Sequence, residues 1–328
     1  MLNRTPKRLA TVAVSLSVAC AITGATGAAA LAQDATPIGP EAASCVAPEL
    51  TASPVAATPS GETSAATPVN TETELPEGTV VDNEAVIAQA TATIENLYAC
   101  YNTGDGAKVV ALFTPSGLNA AYGAGDPMTI AAQVSALAGA AQANELDING
   151  VVAYEDGRLS VDYHVVIGKR LFHFVDVLVE EDGIWKIDDR REQMPETELD
   201  STTGGIKTSE EGGVLTFEIS PNPLSNQEAV KFQVVNEGEN THHIHLFKTP
   251  EGFDGSTLID ADLTNLPDGV TFLGTESVLP GDHDVILFEH LEDGTYTVVG
   301  YAIDPTGQRV GEASTTELTI DPPFDPTA

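Results

Sequence analysis

The period of hydrophobic and polar positions changes along this 328-residue chain, and each change marks a boundary. In "NEAVIAQATATIENLYACYNTGD" the apolar positions Ile87, Ala90, Ile94, Leu97, Tyr98 and Tyr101 recur at helical spacing, and Gly104 supplies a stop. "GAKVVALF" follows as a second helix. "DPMTIAAQVSALAGAAQAN" makes a third, with Asp126 as its cap and Pro127 in its first turn. The period then drops to two. "ELDINGVVAYEDG", "RLSVDYHVVIG", "KRLFHFVDVLVEEDG" and "IWKIDDRRE" read as strands, joined by turns short enough for hairpins. Helices first and strands after predict an α+β domain, three helices on a curved antiparallel sheet, over residues 82–197. From 213 to 322 short alternating segments run from "GVLTFEISP" to "STTELTI", separated by Gly, Pro, Asn and Asp. They predict an all-β Greek-key sandwich.

The remaining segments lack sustained periodicity. Residues 198–212, "ELDSTTGGIKTSEEG", read as a flexible linker, and 323–328 as a tail. Residues 33–81 are rich in Ala, Thr, Pro and Glu and hold no aromatic residue. Such a stretch buries too little apolar surface to offset its conformational entropy, so a disordered acidic stalk is expected. The first 32 residues carry Arg4, Lys7 and Arg8 before the run "LATVAVSLSVACAITGATGAAALA", which ends in the small-x-small site "ALA". This predicts an export signal and a secreted protein that leaves the membrane after cleavage. The alternatives are a membrane anchor made by the same run and a lipoprotein modified at Cys20.

Charge narrows the partners. With 14 Lys+Arg against 49 Asp+Glu, the net charge of -35 repels phosphate backbones and anionic lipid, which argues against nucleic acid and membrane surfaces. Loss of Cys20 with the signal leaves Cys45 and Cys100, an even number in an oxidising compartment. Either they pair, or both stay as thiols with Cys100 buried.

Two groups of residues could carry chemistry. In "NEGENTHHIHLFKTP", His243 and His245 alternate to one strand face and His242 to the other. With His283 and an acid such as Asp282 or Asp284 they could hold Zn or Cu(II); the alternative is polar residues at a strand edge. In the first domain Asp176 stands beside Phe174 and Leu178. Desolvated there, it could serve as a base, with Tyr163, His164 and His173 as partners; on the outer face it would simply be solvated. Asp188-Asp189 beside Arg190-Arg191 reads as surface ion pairing. There is no phosphate-cradling loop, Cys-x-x-Cys, His-Glu-x-x-His or nucleophile elbow, so nothing points to a hydrolase.

Two families are resembled. "YNTGDGAKVVALFTPSG" and the closing "DGIWKIDDRRE" resemble the start and end of nuclear transport factor 2-like domains, the class of SnoaL and ketosteroid isomerase-like proteins. That resemblance implies a cone of sheet and helices with a pocket at its open end. Tyr98, Tyr101, Phe113, His173 and Trp185 are then candidates to line the pocket, or are simply core. It also implies a homodimer through this domain, and an activity that is isomerase- or dehydratase-like in some members and absent in many. "VVNEGENTHHIHLF", "LPGDHDVILF" and "EDGTYTVVGYAID" are similar to the cupredoxins. Copper-binding members end the last of these strands in a cysteine, followed by a histidine and usually a methionine. Here Gly300 or a neighbour holds the cysteine position, and no Cys, His or Met follows His290. Without a thiolate a blue-copper centre cannot form.

The expectation is therefore an exported, non-catalytic protein that binds a small molecule in the first domain, contacts a partner through the second, or does both, and needs no cofactor. An acid/base enzyme using Asp176 and a metal-binding protein using the histidines of the second domain are the rival expectations.

Overall fold

The computed structural model describes residues 45, 75, 77–122, 126–197, 199–304 and 308–323. The segment read as an export signal, nearly all of that read as a stalk, and residues 324–328 of the tail lie outside the described residues. Among those described, a mostly β, mixed sheet system of 14 strands is accompanied by four helices that lie between its first and second strands.

The first part opens with β1 (Thr79–Val80), which pairs antiparallel with β2 (Ala143–Ala153) and so brings the end of the stalk segment into the fold. Helix α1 (Glu84–Asn102) is capped by Asn83, whose side chain accepts from the Ala85 amide, and buries Ala90, Ile94, Leu97, Tyr98 and Tyr101 along one stripe. α2 (Gly106–Ala111) and α4 (Pro127–Ala140) start at Asp105 and Asp126, whose carboxylates accept from the Lys108 and Thr129 amides. Between them lies α3 (Pro115–Tyr122), a helix the apolar spacing did not predict. Its eight residues bury only Gly117 and Leu118, too short a stripe to show a period. β2, β3 (Leu159–Ile167), β4 (Arg170–Glu181) and β5 (Ile184–Gln193) form consecutive antiparallel pairs over the helices. The core between the layers contains Leu97, Tyr98, Phe113, Val161, Tyr163, Leu178 and Ile187. Cys45 and Cys100 are joined in a disulfide against that core.

The expected flexible linker is instead β6 (Ser201–Glu211), a strand of the second part. Its sequence hides this because Ile206 is the only apolar residue of its buried face, beside Gly204 and Thr208. Ordering comes from neighbours, since β6 pairs antiparallel with β7 (Val214–Ser220) and parallel with β9 (Ala229–Asn236), past the short β8 (Leu224–Ser225). One layer consists of β6, β7, β9 and β12 (His283–Glu289). The other holds β10 (Thr241–Lys248), β11 (Thr271–Val278), β13 (Gly294–Ile303) and β14 (Arg309–Asp321), with β14 also pairing β7 and β8. Ile206, Phe232 and Phe288 meet Ile244, Val298 and Leu318 between the layers, which makes a β-sandwich core.

The two parts are continuous. Leu287 and Phe288 of β12 pair with Leu171 and Arg170 of β4, carrying the first sheet into the second. A further apolar cluster packs Leu137, Ala140 and Ala141 against Phe247, Phe272 and Val299.

Candidate functional site

Cross-strand register decides what surrounds Asp176. It lies opposite Val161 on β3 and Arg190 on β5, so a carboxylate and a guanidinium meet on the inner face of the sheet. Asp176 is 0% exposed and Arg190 retains 12%, so the anion is sealed and the cation is the partner nearer the surface. Arg190 donates Nε to Asp176 Oδ1 at 2.8 Å and Nη2 to Oδ2 at 2.6 Å, a bidentate pair. Tyr163 donates its hydroxyl to Oδ2 at 2.8 Å and accepts from Arg190 Nη2 at 2.8 Å, while the Tyr98 hydroxyl lies 3.2 Å from that of Tyr163. Burial, opposed by Arg190 and reinforced by Asp176, pushes the Tyr163 phenol well above its usual range, and burial does the same for Tyr98. Both therefore stay neutral donors. Burial works against the Arg190 charge, but Asp176, Tyr163 and Tyr98 together outweigh it and raise the guanidinium pKa above its usual range. Phe113 and Phe174 face the same guanidinium at 5.4 and 4.7 Å from their ring centres.

Several expected members stand elsewhere. His164 and His173 do not join Asp176 and Tyr163: they lie on the opposite face of the sheet, their rings 4.3 Å apart. Asp162 accepts from His173 at 3.0 Å, and Asn149 contacts both Asp162 and His164. Alternation along β3 sends residues 163 and 164 to opposite sides, and along β4 residues 173 and 176 likewise, so His164 and His173 stand apart from Tyr163 and Asp176. Arg190, expected at the surface, is the ion partner of Asp176. Tyr98, Tyr101 and Phe113 are buried core, Tyr101 donating to the Ala141 carbonyl at 2.9 Å; Trp185 is half-buried against the same core.

The histidines of the second part are distributed over three environments. His242 is 0% exposed, its Nδ1 2.7 Å from the Thr208 hydroxyl and its Nε2 2.9 Å from Glu210, so β6 occupies both ring nitrogens. Burial lowers its pKa despite Glu210. His243 and His245 share the other face of β10. The His243 ring stacks on Tyr301 with centres 5.3 Å apart and its Nδ1 lies 3.0 Å from the Ser277 hydroxyl; the His245 Nε2 lies 3.4 Å from the Tyr301 hydroxyl. Burial depresses their pKa values to about 3 and about 4, so both rings are neutral. His283 is 60% exposed beside Asp282. Among the described residues no three or more His, Cys, Asp or Glu side chains converge as a metal would require.

Gly300 or a neighbour is where the cupredoxin resemblance would place a thiolate, and at Gly300 there is no room for a side chain. A Cβ there would fall 2.5 Å from the Phe217 ring and 2.6 Å from Leu215. Gly300→Cys is therefore expected to lower stability by about 1–3 kcal/mol and, with Cu(II) added, to show no thiolate-to-copper charge-transfer band. Appearance of that band would mean that His242 leaves Glu210 readily.

No protein-family model matches the chain, and no curated protein sequence matches it. Among solved structures, Aln2 from a Streptomyces species is similar at 18% identity over 37% of this chain and 94% of its own, with a TM-score of 0.28. A putative calcium/calmodulin dependent protein kinase II association domain from Xanthomonas campestris is similar at 19% identity over 35% of this chain and 91% of its own, with a TM-score of 0.28. Auracyanin from Roseiflexus castenholzii is similar at 18% identity over 36% of this chain and 97% of its own, with a TM-score of 0.23.

Proposed function

We propose that the chain is an exported, non-catalytic binding protein. Its first part is a nuclear transport factor 2-like cone that takes a small molecule, and its second is a cupredoxin-like sandwich without the copper thiolate. The observation that carries this reading is the commitment of Asp176. A general base needs a carboxylate that a substrate proton can reach, and Asp176 is sealed from solvent while Arg190 and Tyr163 already donate to both its oxygens. Arg190, flanked by Phe113 and Phe174, is the member of the group nearer the surface. Such a setting favours an apolar molecule bearing an acceptor oxygen over one that must lose a proton. The Cys45–Cys100 disulfide supports export, since such bonds persist in oxidising compartments. Among the described residues no helix is long and apolar enough to cross a membrane.

Native mass spectra of the chain from Gln33 to Ala328, recorded before and after denaturation in organic solvent, test the reading. A small molecule retained natively and released on denaturation is the expected result. Bare protein from more than one expression host, together with no mass shift on adding a panel of hydrophobic ketones, would remove the pocket from the proposal.

A further inference from the structure

The junction between the two parts buries an unbalanced set of charges. Arg170, at the start of β4, has a side chain 5% exposed, and its guanidinium crosses into the second part. Nη1 donates to the Thr275 carbonyl; Nη2 donates to Glu276 at 2.5 Å and to Glu192 at 2.7 Å. The Phe172 ring covers the guanidinium at 4.1 Å. Glu276 on β11 is sealed, its other oxygen accepting from the Ser277 amide at 2.7 Å. Asp284 on β12 faces the same group, and Asp282 and His283 act on Asp284 in turn; from β5, Arg190 acts on Glu192. Two carboxylates thus bond one guanidinium, with Asp284 in electrostatic range of it, where β4 and β12 join the two parts. One arginine balances one carboxylate, and a second buried negative charge is costly unless it is neutralised.

We propose that this cluster is a proton-held latch between the two domains: protonated Glu276 lets Arg170 and Glu192 close the junction, and its ionisation loosens the junction. Burial, opposed by Arg170 and reinforced by Glu192 and Asp284, raises the Glu276 pKa to about 8, and burial also raises Glu192 and Asp284. A carboxyl group raised in the closed state binds more proton there than in the open state. The junction is therefore firm at the acid end and weakens as pH rises from the ordinary glutamate range toward about 8.

Amide hydrogen exchange on the full chain, corrected for the intrinsic pH dependence of exchange, reads the latch directly. The amide of Glu289, which donates to the Lys169 carbonyl across the junction at 3.0 Å, is the reporter, and Val161 in the first core is the reference. Protection at Glu289 relative to Val161 is expected to fall at least about tenfold between pH 6 and pH 8 in the wild type, and to stay within about twofold in Glu276→Gln. Glu192→Gln, which removes the more exposed carboxylate, is expected to shrink the fall and serves if Glu276→Gln does not fold. An unchanged fall in both variants, or no fall in the wild type, overturns the proposal.

Discussion

Replacing Arg190 by methionine is expected to destabilise the first domain by about 3–5 kcal/mol, because it leaves Asp176 as a sealed charge without its counter-ion. The Tyr163 hydroxyl remains, but one neutral donor cannot replace two charge-assisted bonds at 2.6 and 2.8 Å. Trp185, the only tryptophan of the chain, lies on the same strand and packs on the same core, so urea unfolding followed by its fluorescence reports on this domain. Adding Asp176→Leu to Arg190→Met is expected to recover most of the loss, since replacing a whole buried pair by apolar residues of similar volume is often near neutral. A single-variant loss under about 1 kcal/mol would mean that Asp176 reaches water or a proton easily. That outcome would move the acid/base reading ahead of the binding one.

This pair escaped the sequence for a physical reason. The four strand segments of the first domain were legible from alternation and hairpin turns, and β2 to β5 occupy them. Alternation also assigns Tyr163 and His164 to opposite faces of their strand, so the grouping of both with Asp176 conflicts with the sequence pattern itself. Register is a different quantity. That Arg190 stands opposite Asp176 depends on the shift between Val177 and Leu178 in the β4–β5 pairing, a local irregularity that composition does not announce. "IDDRRE" therefore looked like a solvated charge run. The second domain shows the same division. Its apolar strands were visible, whereas β6 was not, because Thr208 and Glu210 serve there as partners of His242 rather than as core. A polar strand specified by its neighbours' hydrogen bonds has the composition of a linker.

Loss of the Cys45–Cys100 disulfide is expected to cost about 2–4 kcal/mol, through the loop it closes. Its sequence separation of 55 residues makes the open, unfolded chain considerably freer than the cross-linked one. Cys100 is wholly buried on α1, and Cys45 packs against the same core. The test is urea unfolding of Cys45→Ala, Cys100→Ala and the double variant, again followed at Trp185. Equal losses in all three would assign the effect to the cross-link. A larger loss for Cys100→Ala than for Cys45→Ala would assign part of it to the buried side chain itself. Reduction of the wild type should reproduce the Cys45→Ala value if the thiols pack as the disulfide does. An unchanged midpoint after reduction would show that the segment between the cysteines keeps its ends together without a covalent bond, and the support that the disulfide lends to export would be lost with it.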